Sequence, residues 1–358
     1  MSRPALLIAA ALLAAAACTE SPTEVDDGRV EPVARPSMVR GLYVNARAAG
    51  SPAQLPGLLD LARGSALNTF VVDVRERGEV SYTSAVPLVG EVGAQRSFIA
   101  DLPGLLRQLR DDGIYPIARI VCFRDAILAQ AKPEWAIRTT TGEVWLDPES
   151  LLPWVDPYNA DVWAYNIALA REALAAGFAE VQWDYVRFPD VADSVRATMV
   201  FPAKQGRSEG EAIEEFIAAS RVALADFDAP ITADVFGRVV TESGASNIGQ
   251  EWDRLVTVTD VLLPIVYPAL YGPGSFGLPD PNAEPYQLVR ASMDSAVARL
   301  DRTPGAVATI RPWLQAYSWG STSYGATEIQ DQIRAVEDAG LDEWLFWNPD
   351  SEYPLDAF

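Results

Sequence analysis

The segment Gln182-Trp-Asp-Tyr-Val-Arg-Phe-Pro189 sets a carboxylate, Asp184, and a guanidinium, Arg187, into an apolar strand pattern that stops at a proline. A strand alternates its side chains between two faces, so Gln182, Asp184 and Val186 share one side while Val181, Trp183 and Tyr185 share the other. One carboxylate therefore points where apolar neighbours belong, and a buried carboxylate is costly unless it is paired or used. Alone, Asp184 fits a structural ion pair with an arginine as well as it fits an acid-base group. Aspartates recur in comparable settings: Asp234 in Ile231-Thr-Ala-Asp-Val-Phe236, and Asp73 in Thr69-Phe-Val-Val-Asp-Val-Arg-Glu76.

No histidine occurs anywhere in the 358 residues. Ser-His-Asp triads, Cys-His pairs and histidine-dependent zinc sites are thereby excluded, leaving carboxylates, tyrosines and arginines for acid-base chemistry. The two cysteines, Cys18 and Cys122, form neither a disulfide framework nor a metal knuckle. No cofactor motif appears. A formal charge of -21 opposes nucleic acid, which needs a basic face to meet phosphate. Positive charge is almost all arginine, since only Lys132 and Lys204 are lysines.

The N-terminus carries Arg3 and then the apolar run Ala5 to Ala17, too short to span a membrane. Residues 1–17 read as a signal peptide. Ala15-Ala-Ala-Cys18 resembles a bacterial lipobox, with alanine where leucine usually stands three residues before the cysteine. The expectation is an exported lipoprotein of the cell envelope, periplasmic or on the outer surface, lipidated at Cys18 and held to the membrane by that anchor; simple secretion is the alternative. Residues 18–37 are polar and proline-punctuated and read as a flexible tether, and residues 38–358 as one folded domain.

From residue 38, strand signals alternate with helical ones. Strand patterns fall at residues 41–47, 69–76, 115–122, 180–188, 230–237, 261–268, 306–315 and 343–349, and helical patterns close repeatedly at glycine, as at Gly64, Gly113, Gly177 and Gly340. Eight such strands, apolar enough to be buried on both faces, suit a single (β/α)8 barrel (TIM barrel) with long loops after the strands. A doubly wound open sheet is the rival, because no helical pattern follows the eighth strand. Against it, no Gly-x-Gly-x-x-Gly turn follows the first.

Active sites of such barrels lie at the C-terminal strand ends. Polar and aromatic residues gather there: Asp73 and Glu76, Arg119, Asp184 and Arg187, Asp234, Tyr267, then Trp347 and Asn348. Each has a plain alternative. Arg119 suits a charge partner better than a catalyst, Tyr267 and Trp347 suit a core, Asn348 suits a loop cap, and Cys122 suits an inert buried side chain.

The motifs Tyr115-Pro-Ile-Ala-Arg-Ile-Val121, Trp154-Val-Asp-Pro-Tyr-Asn159, Gln182 to Pro189, Ala233-Asp-Val-Phe-Gly237, Ile248-Gly-Gln-Glu-Trp252, Pro264-Ile-Val-Tyr-Pro268, Arg311-Pro-Trp-Leu-Gln315 and Trp344-Leu-Phe-Trp-Asn-Pro349 resemble, in order, those of a bacterial glycoside-hydrolase-like TIM-barrel domain family. The resemblance runs from about Val39 to Tyr353. It implies a barrel that hydrolyses a glycosidic bond in a poly- or oligosaccharide. That chemistry needs one carboxyl to protonate the leaving oxygen and one to act as nucleophile or base, roughly 5 to 5.5 Å apart for retention and roughly 6.5 to 9.5 Å for inversion. Asp184 is assigned as nucleophile or base and Asp234 as acid, with Asp73 and Glu76 in reserve. Arg119 and Arg187 would keep one carboxylate ionised, and Trp183, Tyr185, Tyr267, Trp319 and Trp347 would offer stacking surfaces. The alternatives are a carbohydrate-binding lipoprotein without catalysis and an aspartate-only magnesium or calcium hydrolase. Oligomeric state is left open.

Overall fold

Eight parallel strands hydrogen-bond into a closed ring. They are Arg40–Val44 (β1), Thr69–Glu76 (β2), Tyr115–Val121 (β3), Glu180–Asp184 (β4), Ile231–Phe236 (β5), Val261–Ile265 (β6), the split pair Thr309–Ile310 and Trp313–Gln315 (β7), and Trp344–Trp347 (β8). Each pairs with its sequence neighbour, and β1 pairs with both β2 and β8, which closes the barrel and leaves no open edge. The computed structural model describes residues 30–242 and 247–358. Strand seven breaks at Arg311-Pro312, where the proline offers no N–H to a ladder.

Between the strands run Leu55–Arg63 (α1), Leu102–Asp111 (α2), Ala160–Ala176 (α3), Glu209–Ala223 (α4), Trp252–Leu255 (α5), Pro285–Leu300 (α6) and Ala326–Asp338 (α7). Local signals set their ends. Asn159 caps α3, a Ser208–Glu211 capping box opens α4, and α3 closes on Gly177 at φ 119°. Added bulk at Gly177 would meet Val30 backbone, which reinforces the need for glycine there. Their apolar faces and the outward residues of the strands form the larger core. A smaller core fills the barrel itself, from Val71, Tyr115, Ile117, Val261, Leu263, Trp313 and Leu345.

Among the described residues no helix follows β8, and residues beyond it pack where an eighth helix would lie. Phe358 lies against Trp344 and Phe346 at ring separations of 6.0 and 5.4 Å, covering the outer face of β8. Aromatic burial substitutes here for a helix face. At the other end, residues 30–37, expected to be part of a flexible tether, pack against the barrel, while residues 18–29 lie outside the described residues. Val30 is buried, Val33 packs on the interior core and Arg35 pairs with Glu343 at 2.7 Å, so residues 30–37 lie along the barrel floor. Two valines with apolar surface to bury and a cation with a waiting carboxylate are enough to dock the segment. The residues expected to be signal peptide, with Cys18, lie outside the described residues.

Two further expectations shift. β4 ends at Asp184, leaving Arg187 on the following loop, and Asp234 lies within β5 and not at its last position. Residues 190–208 contain a short helix, Asp193–Arg196, and a two-residue strand, Met199–Val200, that pairs with Arg138–Thr139.

A charged layer closes the floor. Arg311, fully buried, pairs with Glu180 at 2.7 Å and Glu343 at 2.9 Å, and Tyr115 and Thr232 hydroxyls complete Glu180. Removing one partner strands the others in a dry interior. Arg311→Ala is expected to lower unfolding free energy by about 3 to 5 kcal/mol, measured by urea denaturation; a loss below about 1 kcal/mol contradicts this account.

Candidate active site

The inward faces of β2 to β5 carry the polar side chains, and strand parity decides which ones. On β3, Tyr115, Ile117 and Arg119 point in; on β4, Glu180, Gln182 and Asp184 do; on β5, Thr232 and Asp234. On β2 the alternation is interrupted. A bulge between Asp73 and Arg75 resets the phase, so that Arg75 leaves the interior and Glu76 enters the mouth. Arg75 then pairs with Asp125 at 3.2 Å and meets Asn166 of α3, outside the barrel.

Arg119 is the centre of the site. Its Nε and Nη2 donate to Asp184 Oδ2 at 2.9 and 2.5 Å, and its Nη1 donates to Asp73 at 2.5 Å and to Glu76 at 2.8 Å. Three carboxylates from two strands thus converge on one guanidinium. Asp184 Oδ1 accepts the Tyr185 N–H at 2.6 Å. Asp73 also accepts the Tyr43 hydroxyl at 2.6 Å. Tyr43 stacks on Trp347 at 3.7 Å, and Arg119 lies over both rings.

Asp234 sits one strand beyond this cluster. It accepts from Gln182 Nε2 at 3.0 Å on both oxygens and from Trp313 Nε1 at 2.9 Å, and it has no ion-pair partner among the described residues. Burial, with the Asp184 charge adding to it, pushes its carboxyl well above the usual carboxylate range; Arg119 and the hydrogen bonds from Trp313 and Gln182 oppose this. Burial also raises Asp73, up to about 6, with Glu76 adding and Arg119 and Tyr43 opposing.

Asp184 and Asp234 line one cavity of about 230 Å³ with Arg187, Phe236, Tyr267, Trp313 and Tyr317. A second cavity, about 590 Å³, adjoins it over Asp73, Glu76, Arg47 and Arg77. Arg119, Tyr185 and Trp347 border both. Tyr185 takes φ 47°, an unfavourable conformation for an aromatic residue, on the turn that carries the chain away from Asp184.

The other sequence candidates divide. Glu76, Tyr185, Tyr267 and Trp347 face the cavities. Trp183 does not: it is fully buried on the outer face of β4, bonded to Ser220 of α4 and packed on Phe216, because its parity is opposite to that of Asp184. Arg187 clamps no carboxylate; none lies within 4 Å of it among the described residues. Asn348 braces its own loop, donating to the carbonyls of Ala316 and Glu352. Trp319 is exposed on a loop after β7. Cys122 is buried, and burial pushes its thiol up. Sequence reasoning missed Tyr43 and Trp313, which hold Asp73 and Asp234. Inward parity on β1 and the Arg311-Pro-Trp313 motif were the available signals.

Fold and site together define a (β/α)8 barrel with a carboxylate-lined mouth at the C-terminal strand ends. The chain belongs to the family described as "Putative glycosyl hydrolase domain", whose pattern matches residues 41–353. No curated protein matches it. Among solved structures, it is similar to a hypothetical protein from Ruminiclostridium thermocellum ATCC 27405, at 37% identity over 55% of this chain and 97% of that one, with a TM-score of 0.49. The glycoside hydrolase domain of PgaB (BpsB) from Bordetella bronchiseptica is 14% identical, covering 88% of this chain and 95% of that one at a TM-score of 0.63. The α-galactosidase TtGalA from Thermus thermophilus, in complex with stachyose, is 15% identical over 92% and 67% at 0.56. At such identities the last two likenesses show the barrel fold.

The raised Asp73 carboxyl has a stability consequence. Its ordinary value is 3.8 and its folded value about 6, so the folded protein holds this proton more tightly than the unfolded chain. That contribution is complete below pH 3.8 and lost as pH rises through about 6. In urea unfolding between about pH 4 and pH 7, Asp73→Asn, which cannot titrate, is expected to flatten a loss on the order of 3 kcal/mol seen in the parent. An unchanged slope contradicts the assignment.

Proposed function

We propose that the protein hydrolyses a glycosidic bond in a poly- or oligosaccharide, with Asp184 as nucleophile or base and Asp234 as general acid. One observation carries this reading: two carboxyl groups from adjacent strands line one cavity in opposite electrostatic settings, Asp184 held by Arg119 and Asp234 desolvated without a cation. Environments that separate two carboxyls in this way assign acid and base roles.

In the proposed reaction the Asp234 proton passes to the glycosidic oxygen as the bond to the anomeric carbon breaks. Asp184 either attacks that carbon or takes a proton from the water that does. The hydroxyl of water ends on the anomeric carbon and its proton returns to the carboxyl pair. Tyr267, Tyr317 and Trp347 give the cavity aromatic walls suited to sugar faces. Two cavities meeting at Arg119, Tyr185 and Trp347 suit sugar units on either side of a scissile bond. Asp73 is the weaker acid candidate because the Arg119 guanidinium pairs with it directly at 2.5 Å, which favours its charged form, whereas Asp234 has no cation in contact among the described residues. In this reading the protein works at the cell envelope, exported and lipidated at Cys18.

Against a glycan panel, Asp184→Asn and Asp234→Asn are each expected to reduce release of reducing ends by about a hundred- to ten-thousand-fold with the melting temperature held. Because the acid must be protonated, parent activity should fall at high pH along a limb set by the raised Asp234 value. Full activity in both variants removes the assignment.

A further inference from the structure

Four arginines are buried among the described residues: Arg75, Arg119, Arg187 and Arg311. Three have carboxylates. Arg75 meets Asp125, Arg119 meets Asp73, Glu76 and Asp184, and Arg311 meets Glu180 and Glu343. Arg187 has none within 4 Å among the described residues, although it is only 8% exposed. Its one hydrogen bond runs from Nη1 to the Phe188 carbonyl at 2.9 Å. The acids nearest to it are committed elsewhere: Asp184 to Arg119, and Asp190 to Arg238 at 2.8 and 3.0 Å.

A buried cation without an anion is costly in a folded protein. Part of that cost is offset by aromatic faces, since the guanidinium lies 4.5 Å from Phe236, 4.8 Å from Tyr185 and 5.1 Å from Trp154. Aromatic faces engage the flat side of a guanidinium, whereas its directional strength lies in its edge donors. Arg187 lines the same cavity as Asp184 and Asp234, and the ring stack fixes its orientation there. A fixed, unpaired guanidinium suits an oxyanion better than neutral sugar hydroxyls, because its paired edge donors make stronger, charge-assisted hydrogen bonds to an anion.

We propose that Arg187 recognises an acidic sugar, whose carboxylate or sulfate oxygens complete the ion pair that the protein itself leaves open. The inference deepens the glycoside reading and rests on it for the sugar. The net charge of -21 repels densely charged polyanions, so the ligand is an isolated acidic unit within a largely neutral oligosaccharide. Arg187 acts as a binding residue that sets specificity.

The test is a binding array of oligosaccharides bearing a single uronate or a single sulfated unit, each beside its carboxyl-reduced or desulfated counterpart. The parent protein is expected to bind acidic members about ten- to a hundred-fold more tightly than their neutral counterparts. Arg187→Gln should lose that preference, and Arg187→Lys, which keeps charge without the fork, should retain part of it. Preference for the uronate or the sulfated arm identifies the oxyanion. Equal binding of acidic and neutral members, or no binding of any acidic member, overturns the proposal, and the parent comparison decides this even if a variant does not fold. Release of reducing ends from the same glycans is read separately. Acid-selective binding without cleavage retains this inference and removes the hydrolase reading, whereas cleavage without acid preference does the reverse.

Discussion

The site depends on one guanidinium held inside a barrel. Arg119 binds Asp73 and Glu76 from β2 and Asp184 from β4, while Tyr43 and Trp347 cover it. Without it, three carboxylates would face one another in a medium that screens poorly, and none could remain ionised at low cost. Its reach also sets a boundary. Asp234, one strand further on, receives hydrogen bonds from Gln182 and Trp313 and no ion pair, so desolvation dominates there. The asymmetry on which the proposed acid-base chemistry rests follows from how far one side chain extends.

The strands make that geometry rigid. Arg119 lies level with Asp73 and Gln182 in the ladder, and Gln182 with Thr232, so the polar groups stand in tiers fixed by continuous backbone hydrogen bonds. Toward the floor, Arg311, Glu180 and Glu343 form a second charged group inside the barrel, beside apolar interior residues such as Ile117, which is level with Glu180. Both charged groups are closed by ion pairs within themselves, whereas Arg187, on the loop after β4, has no carboxylate within 4 Å among the described residues. The mouth is where pairing is left incomplete.

Tyr185 connects strand to mouth. Its φ of 47° turns the chain sharply after Asp184, and its ring stands between the two cavities and beneath Arg124 and Arg187. Conformations of this kind persist where surrounding contacts over-determine them, which the stacked arginines and the tilted contact with Trp154 provide. The same turn directs Arg187 back toward the cavity from a loop position.

Much of this was legible from residue types and order. Eight apolar strands alternating with glycine-closed helices indicate the barrel, and period-two alternation places Asp184 with Gln182 and Asp234 with Thr232 on the inward face, because both signals are local. The missing histidine alone leaves acid-base chemistry to carboxylates, tyrosines and arginines. Tertiary structure decided the rest. A bulge on β2 sent Arg75 outward and Glu76 inward, a phase change that no residue in Thr69 to Glu76 announces. Trp183, one residue from Asp184, went to the helix layer, and Tyr43 and Trp313 became the partners of Asp73 and Asp234 across the barrel. Arg187 looked like another clamp and emerged unpaired. Sequence states which charges exist; which of them meet depends on strand register and closure, and those are settled only when distant segments pack together.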